Sequence, residues 1–256
     1  MRVLIATDGV GDHTSEEVGV AFARAWAAAG AEVAVVPMAP GGPGLAAALA
    51  GLGCCEPVVD LTAGVPESVP AGAIGVVASD QADLPLTGLR GLAASEGRLS
   101  GAPLEEVLAE DARWTEWARQ VWPGNDAAAE VPGGGAHRGQ GLRILAAGGR
   151  LVTGEALCAE LAGFARSARQ ADLVVTGCGV LDFGSFGGPV VAEVVRLARQ
   201  ACCPVIVLAG RNHVSARELR NAGIEACYAA GEGPDAEVGL PELSRLATRV
   251  AASWTW

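Results

Sequence analysis

The chain contains no lysine; all 18 of its basic residues are arginine. That omission excludes the mechanisms built on a lysine: a Walker-A phosphate clamp, a Schiff base, a lysine general base. Basic clusters are missing too, and the net charge is −11, so nucleic acid and anionic membrane surfaces are excluded as partners. No apolar run approaches the length of a membrane span, and MRVLIATDG breaks at Asp8 before it could serve as a signal peptide. The seven cysteines include the adjacent pairs Cys54-Cys55 and Cys202-Cys203 but no C-x-x-C, which points to reduced, packed thiols and a cytoplasmic location. Three histidines, His13, His137 and His213, are too dispersed to announce a metal site.

Half of the residues are apolar, enough for one large α/β domain or two small ones. The most informative stretch runs from Ala171 to Gly210. Leu173 to Thr176 reads as a strand buried on both faces, and a glycine-dense loop follows with Gly177, Gly179, Gly184, Gly187 and Gly188. Pro189 stands where a first helical residue would, Val190, Val191, Val194 and Val195 repeat at helical spacing, and Val205 to Leu208 begins a second strand. Two strands joined by a helical crossover belong to a parallel sheet. Ligands of such sheets bind beyond the carboxyl ends of the strands, where a helix N-terminus favours an anion. Asp182 and Ser185 are the hydrogen-bonding side chains of that loop. A dinucleotide fingerprint fits poorly, because its third glycine would fall at Asp182.

The rest of the chain alternates in the same manner. Val3 to Ala6 and Glu32 to Pro37 read as strands around a helix with Ser15 as its N-cap, which leaves Asp8 at a strand's carboxyl end. Pro57 to Leu61 and Ala73 to Ala78 are further strands, after which the pattern fades. It returns in a helix with Trp114, Trp117 and Val121 on one face. Residues 123–141 read as a polar, glycine-rich loop, and 154–169 as one helix. The fold expected is a doubly wound, mostly parallel, Rossmann-like α/β sheet made from residues 1–79 and 126–256, with 80–125 as a reduced inserted cap.

Five segments in this order, IATDG, VVPMAPGGPG, VPGGGAHRGQG, ADLVVTGCGVLDFGSFGG and PVIVLAG with AGIEA, resemble the bacterial-type glycerate kinases, as a shortened and divergent member. The resemblance implies phosphorylation of D-glycerate or a related small hydroxy acid, with ATP and Mg2+. It implies catalytic and metal-binding roles for Asp8 and Asp182. It also implies substrate or phosphate contacts from Gly41, Gly42, Gly177, Gly179, Ser185, Gly187, Gly188 and Arg138. Gly9, Gly11, Pro40, Pro43, Cys178, Gly184 and Pro189 stand where the family carries polar or charged residues. The first alternative is therefore a degenerate nucleotide- or organic-acid-binding protein. MRVLIATDG and the ADLVV and CCPVIVL pair also resemble universal stress proteins, an ATP-binding second alternative. The partners expected are a small organic acid and a nucleotide, with a homo-oligomer left open.

Overall fold

The structure, a computed structural model, describes residues 1–231 and 238–254. The chain opens with β1 (Arg2–Thr7), α1 (Ser15–Ala28), β2 (Glu32–Pro37) and α2 (Pro43–Leu52). Next come β3 (Val58–Asp60), β4 (Ile74–Val77), α3 (Leu92–Ser100), α4 (Leu104–Val121), α5 (Ala136–Ala146) and β5 (Arg150–Thr153). The remainder forms α6 (Gly154–Leu161), α7 (Phe164–Ala168), β6 (Leu173–Leu181), α8 (Gly188–Gln200), β7 (Val205–Asn212), α9 (Ala216–Ala222), β8 (Ala226–Ala229) and α10 (Leu240–Ser253). Two units result, one from residues 1–54 with 155–256 and the other from 55–154.

The first unit holds a five-stranded sheet in the order β2-β1-β6-β7-β8, every pair parallel. Its strands are apolar on both faces, as a sheet covered on both sides requires. Val3, Ile5, Leu173, Val175, Ile206 and Leu208 pack under α1 and α10, against Val18, Phe22, Trp26, Leu243, Leu246 and Val250. The alternate residues Leu4, Ala6, Val174 and Val207 are equally buried on the opposite face, where α8 lies against β6. The doubly wound expectation holds in this unit. Helix α1 begins one residue earlier than expected: Thr14, not Ser15, is its N-cap, and Thr14 and Glu17 exchange bonds of 3.2 and 2.9 Å in a capping box.

The second unit has a parallel three-stranded sheet of its own, β3-β4-β5. The sequence placed Pro57–Leu61 and Ala73–Ala78 in the main sheet and confined the insert to 80–125. Both strands pair in the smaller sheet instead, because β5, with which β4 pairs in register from Ile74 to Val77, offers the edge that closes it. Residues 123–141 are not a loop either: Ala128, Ala129, Gly133, Gly134, Gly135 and Ala136 are buried, and α5 starts within the stretch. Helices α4 and α5 enclose Leu86, Leu92, Ala118 and Leu142 with Trp114 and Trp117, whose rings meet edge-on with centroids 5.3 Å apart. The expected helix 154–169 is broken into α6 and α7 at Gly163, which takes a left-handed conformation at φ 62°.

Burial pushes the thiols of Cys178 and Cys227 up to about 12, and those of Cys158 and Cys203 to about 11. At pH 8 these four carry almost no thiolate, the reactive form. A thiol reagent followed by mass mapping is expected to label the exposed Cys55 and Cys202 first, and Cys178 and Cys227 only after denaturation. Rapid labelling of Cys178 in the folded protein would contradict the buried strand.

Candidate functional site

In a parallel sheet whose strand order reverses, neighbouring connections leave in opposite directions and open a crevice at the carboxyl ends. In the first unit the reversal falls between β1 and β6, and Asp8 is the residue immediately beyond β1. Asp8 is half-buried and its Oδ1 accepts the Gly9 N–H at 2.7 Å. Its carboxyl is held above the usual range, first by burial and then by the nearby charge of Glu155, against the lowering effect of the Gly9 bond. Thr7 fixes the strand end: its hydroxyl donates to the Asp8 carbonyl at 3.0 Å and to the Gly177 carbonyl of β6 at 3.3 Å.

Glu155, in the first turn of α6, was not singled out by the sequence, yet it is only 5% exposed. Cys158, one turn further along, senses both Asp8 and Glu155 and receives a hydrogen bond from the Ala39 backbone. The ends of β1 and β2 and the start of α6 therefore converge on one acidic, largely buried point. The one hint in the sequence was an acidic residue directly after a short strand and a glycine, at the mouth of the apolar helix GEALCAEL.

Two helices start at this sheet edge without a side-chain cap. Gly42, at φ 67°, is the N-cap of α2 and follows Gly41 in the turn after β2. Gly187, at φ 84°, is the N-cap of α8, followed by Gly188 and Pro189. Helix α1, from the same edge, closes its own N-terminus with the capping box. N–H groups that no side chain caps, together with the helix dipole, suit an anion.

Of the remaining sequence candidates, Asp182 and Ser185 follow β6 at the same carboxyl edge, and the others fall elsewhere. Gly177 and Gly179 lie inside β6, which runs on to Leu181 paired with β7 as far as Asn212, and not in a loop. Gly177 is needed for packing, since a Cβ there would sit 2.9 Å from both the Phe22 ring and the Thr7 hydroxyl. Asp182 is exposed, and its Oδ1 accepts the Ser185 N–H at 2.8 Å and the Ser185 hydroxyl at 3.1 Å. These bonds hold its carboxyl below the usual range and give both residues a turn-closing role that needs no ligand. Arg138 belongs to the second unit, where its guanidinium pairs with Glu96.

A Mg2+ cage built by the protein does not fit. Among the described residues no group of three or more His, Cys, Asp or Glu side chains is placed to hold a metal ion. Different neighbours set the charges of Asp8 and Asp182: Glu155 acts on the first, Ser185 and His213 on the second. A groove of about 560 Å³ beside Phe186, Val191, Arg196 and Ile224 runs along α8, away from the strand ends, and carries no argument for chemistry. No described helix is long and apolar enough to cross a membrane.

Residues 67–253 match the model of the glycerate kinase family. An uncharacterized protein of Mycobacterium bovis is 36% identical over 186 residues, covering 70% of this chain and 49% of its own. A protein named glycerate kinase from Bacillus cereus is 26% identical over 189 residues, 71% of this chain and 49% of the relative. The chain thus spans about half the length of the curated relatives it matches. The crystal structure named "putative glycerate kinase 2" from Salmonella typhimurium LT2 superimposes with a TM-score of 0.67 at 17% identity, over 99% of this chain and 96% of that one, a likeness of fold.

Proposed function

The chain belongs to the glycerate kinase family, and from that premise we propose that it transfers a phosphoryl group from ATP to D-glycerate or a closely related small hydroxy acid. One observation carries the reading: Asp8 stands at the reversal point of the five-stranded sheet, and two helices at the same sheet edge, α2 and α8, have no side-chain cap. The helix ends would offer backbone N–H groups to the nucleotide's phosphates, which a chain without lysine must neutralise by other means. Asp8 would accept the proton of the attacking hydroxyl, a role that its raised affinity for a proton favours. Burial first, and the charge of Glu155 after it, keep that affinity high. A carboxylate and a phosphoryl group repel, so the arrangement works only if the acceptor hydroxyl lies between them.

The test is ADP release in a coupled assay with ATP, magnesium and D-glycerate, run on the wild type, Asp8→Asn and Asp182→Asn. Acid-dependent turnover in the wild type that survives Asp182→Asn within a few-fold and is lost in Asp8→Asn is the expected pattern. Equal loss in both variants would move the chemistry to the Asp182 turn. A second reading, a binder without turnover, is favoured by the lack of lysine and of a metal-binding cluster among the described residues. Under it, calorimetry would show nucleotide binding with no acid-dependent ADP release.

A further inference from the structure

Within the second unit, the helices α3 and α4 and the turn before them carry an apolar face that is open to solvent. Seven large apolar side chains are exposed among the described residues, and four of them fall here: Leu89 at 90%, Leu99 at 89%, Leu104 at 70% and Leu108 at 58%. The other three, Val20, Val65 and Phe183, stand singly along the chain, as exposed apolar residues of a monomer commonly do. Trp114, Trp117 and Ala118 turn one side of α4 to the unit's core. Leu104 and Leu108 lie one turn apart on that helix, with Asp111 a turn beyond. A groove of about 560 Å³ runs beside them, lined by Leu89, Leu104 and Leu108 together with the small residues Gly97, Gly101 and Ala102. Protruding leucines and a hollow therefore share one patch. The most exposed leucine is also held in place. Arg98 donates to the Leu89 carbonyl at 2.9 Å, and Asp111 Oδ1 accepts the Gly88 N–H at 3.1 Å. Both charged residues line the groove, and neither belongs to an ion pair among the described residues.

We propose that this face is the contact of a two-fold symmetric dimer, its occupant a second copy of the chain. Leu104 and Leu108 of each copy seat in the groove of the other, and Arg98 of each meets Asp111 of the other. A two-fold axis lays a patch on itself, so the patch must carry both halves of every complementary pair. This one does so twice, with leucines beside a hollow and one cation beside one anion. A strongly acidic or basic partner would call for a patch of one sign. An unrelated apolar helix would fill the hollow but cover Arg98 and Asp111 without an opposite charge, which is costly. The area suffices as well. At roughly 100 Å² per leucine side chain, two copies bury roughly 600–800 Å² of leucine surface, and the groove walls bring the total to the ~1,200 Å² at which specific interfaces begin.

The proposal is independent of the kinase reading, and its test uses no substrate. Sedimentation velocity of the full chain is expected to show a monomer–dimer equilibrium with Kd on the order of 1–100 μM, as suits an interface at the small end of the specific range. Leu104→Glu puts a charge into both grooves from an exposed helix start. It is expected to weaken the dimer by about 100-fold or more with an unchanged circular-dichroism spectrum. Mixing then identifies the occupant. Arg98→Glu and Asp111→Arg each bring like charges together across the axis, so each alone is expected to be monomeric. An equimolar mixture of the two restores opposite charges on both sides and is expected to dimerise. A wild type still monomeric at about 1 mM, tenfold above the expected range, overturns the proposal. An apolar dye bound by that monomer and lost in Leu104→Glu would give the groove to a small ligand instead. A dimer that Leu104→Glu leaves intact lies on another face and overturns it too. If Leu104→Glu dissociates the dimer but the mixture stays monomeric, the symmetric pairing of Arg98 with Asp111 is overturned.

Discussion

Replacing Asp8 with asparagine is expected to lower acid-dependent ADP release by about 100-fold or more, in the range of a lost general base, without destabilising the fold at neutral pH. The two halves of that expectation have one physical cause. Burial and the charge of Glu155 raise the Asp8 carboxyl above its ordinary value, so the folded chain binds this proton more tightly than the unfolded chain does. Stability from this group is then present at low pH and is lost as pH rises from the ordinary aspartate value through the raised folded value. Above that window the ionised carboxylate is a standing cost. Asparagine carries no charge, so Asp8→Asn is expected to melt at or above the wild-type temperature at pH 7, with the difference vanishing in acid. A thermal melt at pH 7 and again near pH 3 checks it. A variant that melts well below the wild type at pH 7 would show that the ionised carboxylate is stabilised by something other than its described neighbours.

Gly141→Ala is expected to be the most damaging single methyl group in the second unit. Its Cβ would fall on the Gly133 carbonyl and within 3.2 Å of the Ala136 Cβ, and neither can move without shifting the segment that carries His137. Overpacking of this kind costs about 1–3 kcal/mol, occasionally more, and a backbone clash belongs at the upper end. The control is Gly184→Ala in the turn before α8, where the nearest atom, Asp182 Oδ1, is 3.5 Å away, an ordinary contact. Amide exchange by mass spectrometry should show lost protection over residues 133–146 in Gly141→Ala and little change anywhere in Gly184→Ala. Equal tolerance of both would mean that the glycines of VPGGGAHRGQG are not packing residues.

Several elements were legible because their signals are local. Val3 to Ala6, Leu173 to Thr176 and Val205 to Leu208 are apolar runs of strand length, and the crossover between the last two has a clear helical repeat, so a parallel sheet followed from pattern alone. Asp8 was legible for the same reason, as a polar residue at the end of such a run. The glycines misled. Gly177 and Gly179 have low strand propensity and read as loop, but both lie in the extended strand β6 beside β7, and at Gly177 the Phe22 ring and the Thr7 hydroxyl leave room only for glycine.

The sequence by itself determined the class of fold, the position of Asp8 and the family motifs, since each rests on neighbours within a few residues. The tertiary structure decided which sheet each strand joined. Val58–Asp60 and Ile74–Val77 carry the same local signal as β1 and β6, and the edge offered by β5, far along the chain, assigned them. It also decided that Glu155, an ordinary helix-start acid in the sequence, is buried in the electrostatic reach of Asp8, and that His137 is held left-handed with its backbone N–H on the Gln81 side chain. Burial and the approach of charges depend on contacts between residues distant in sequence, and no local pattern encodes them.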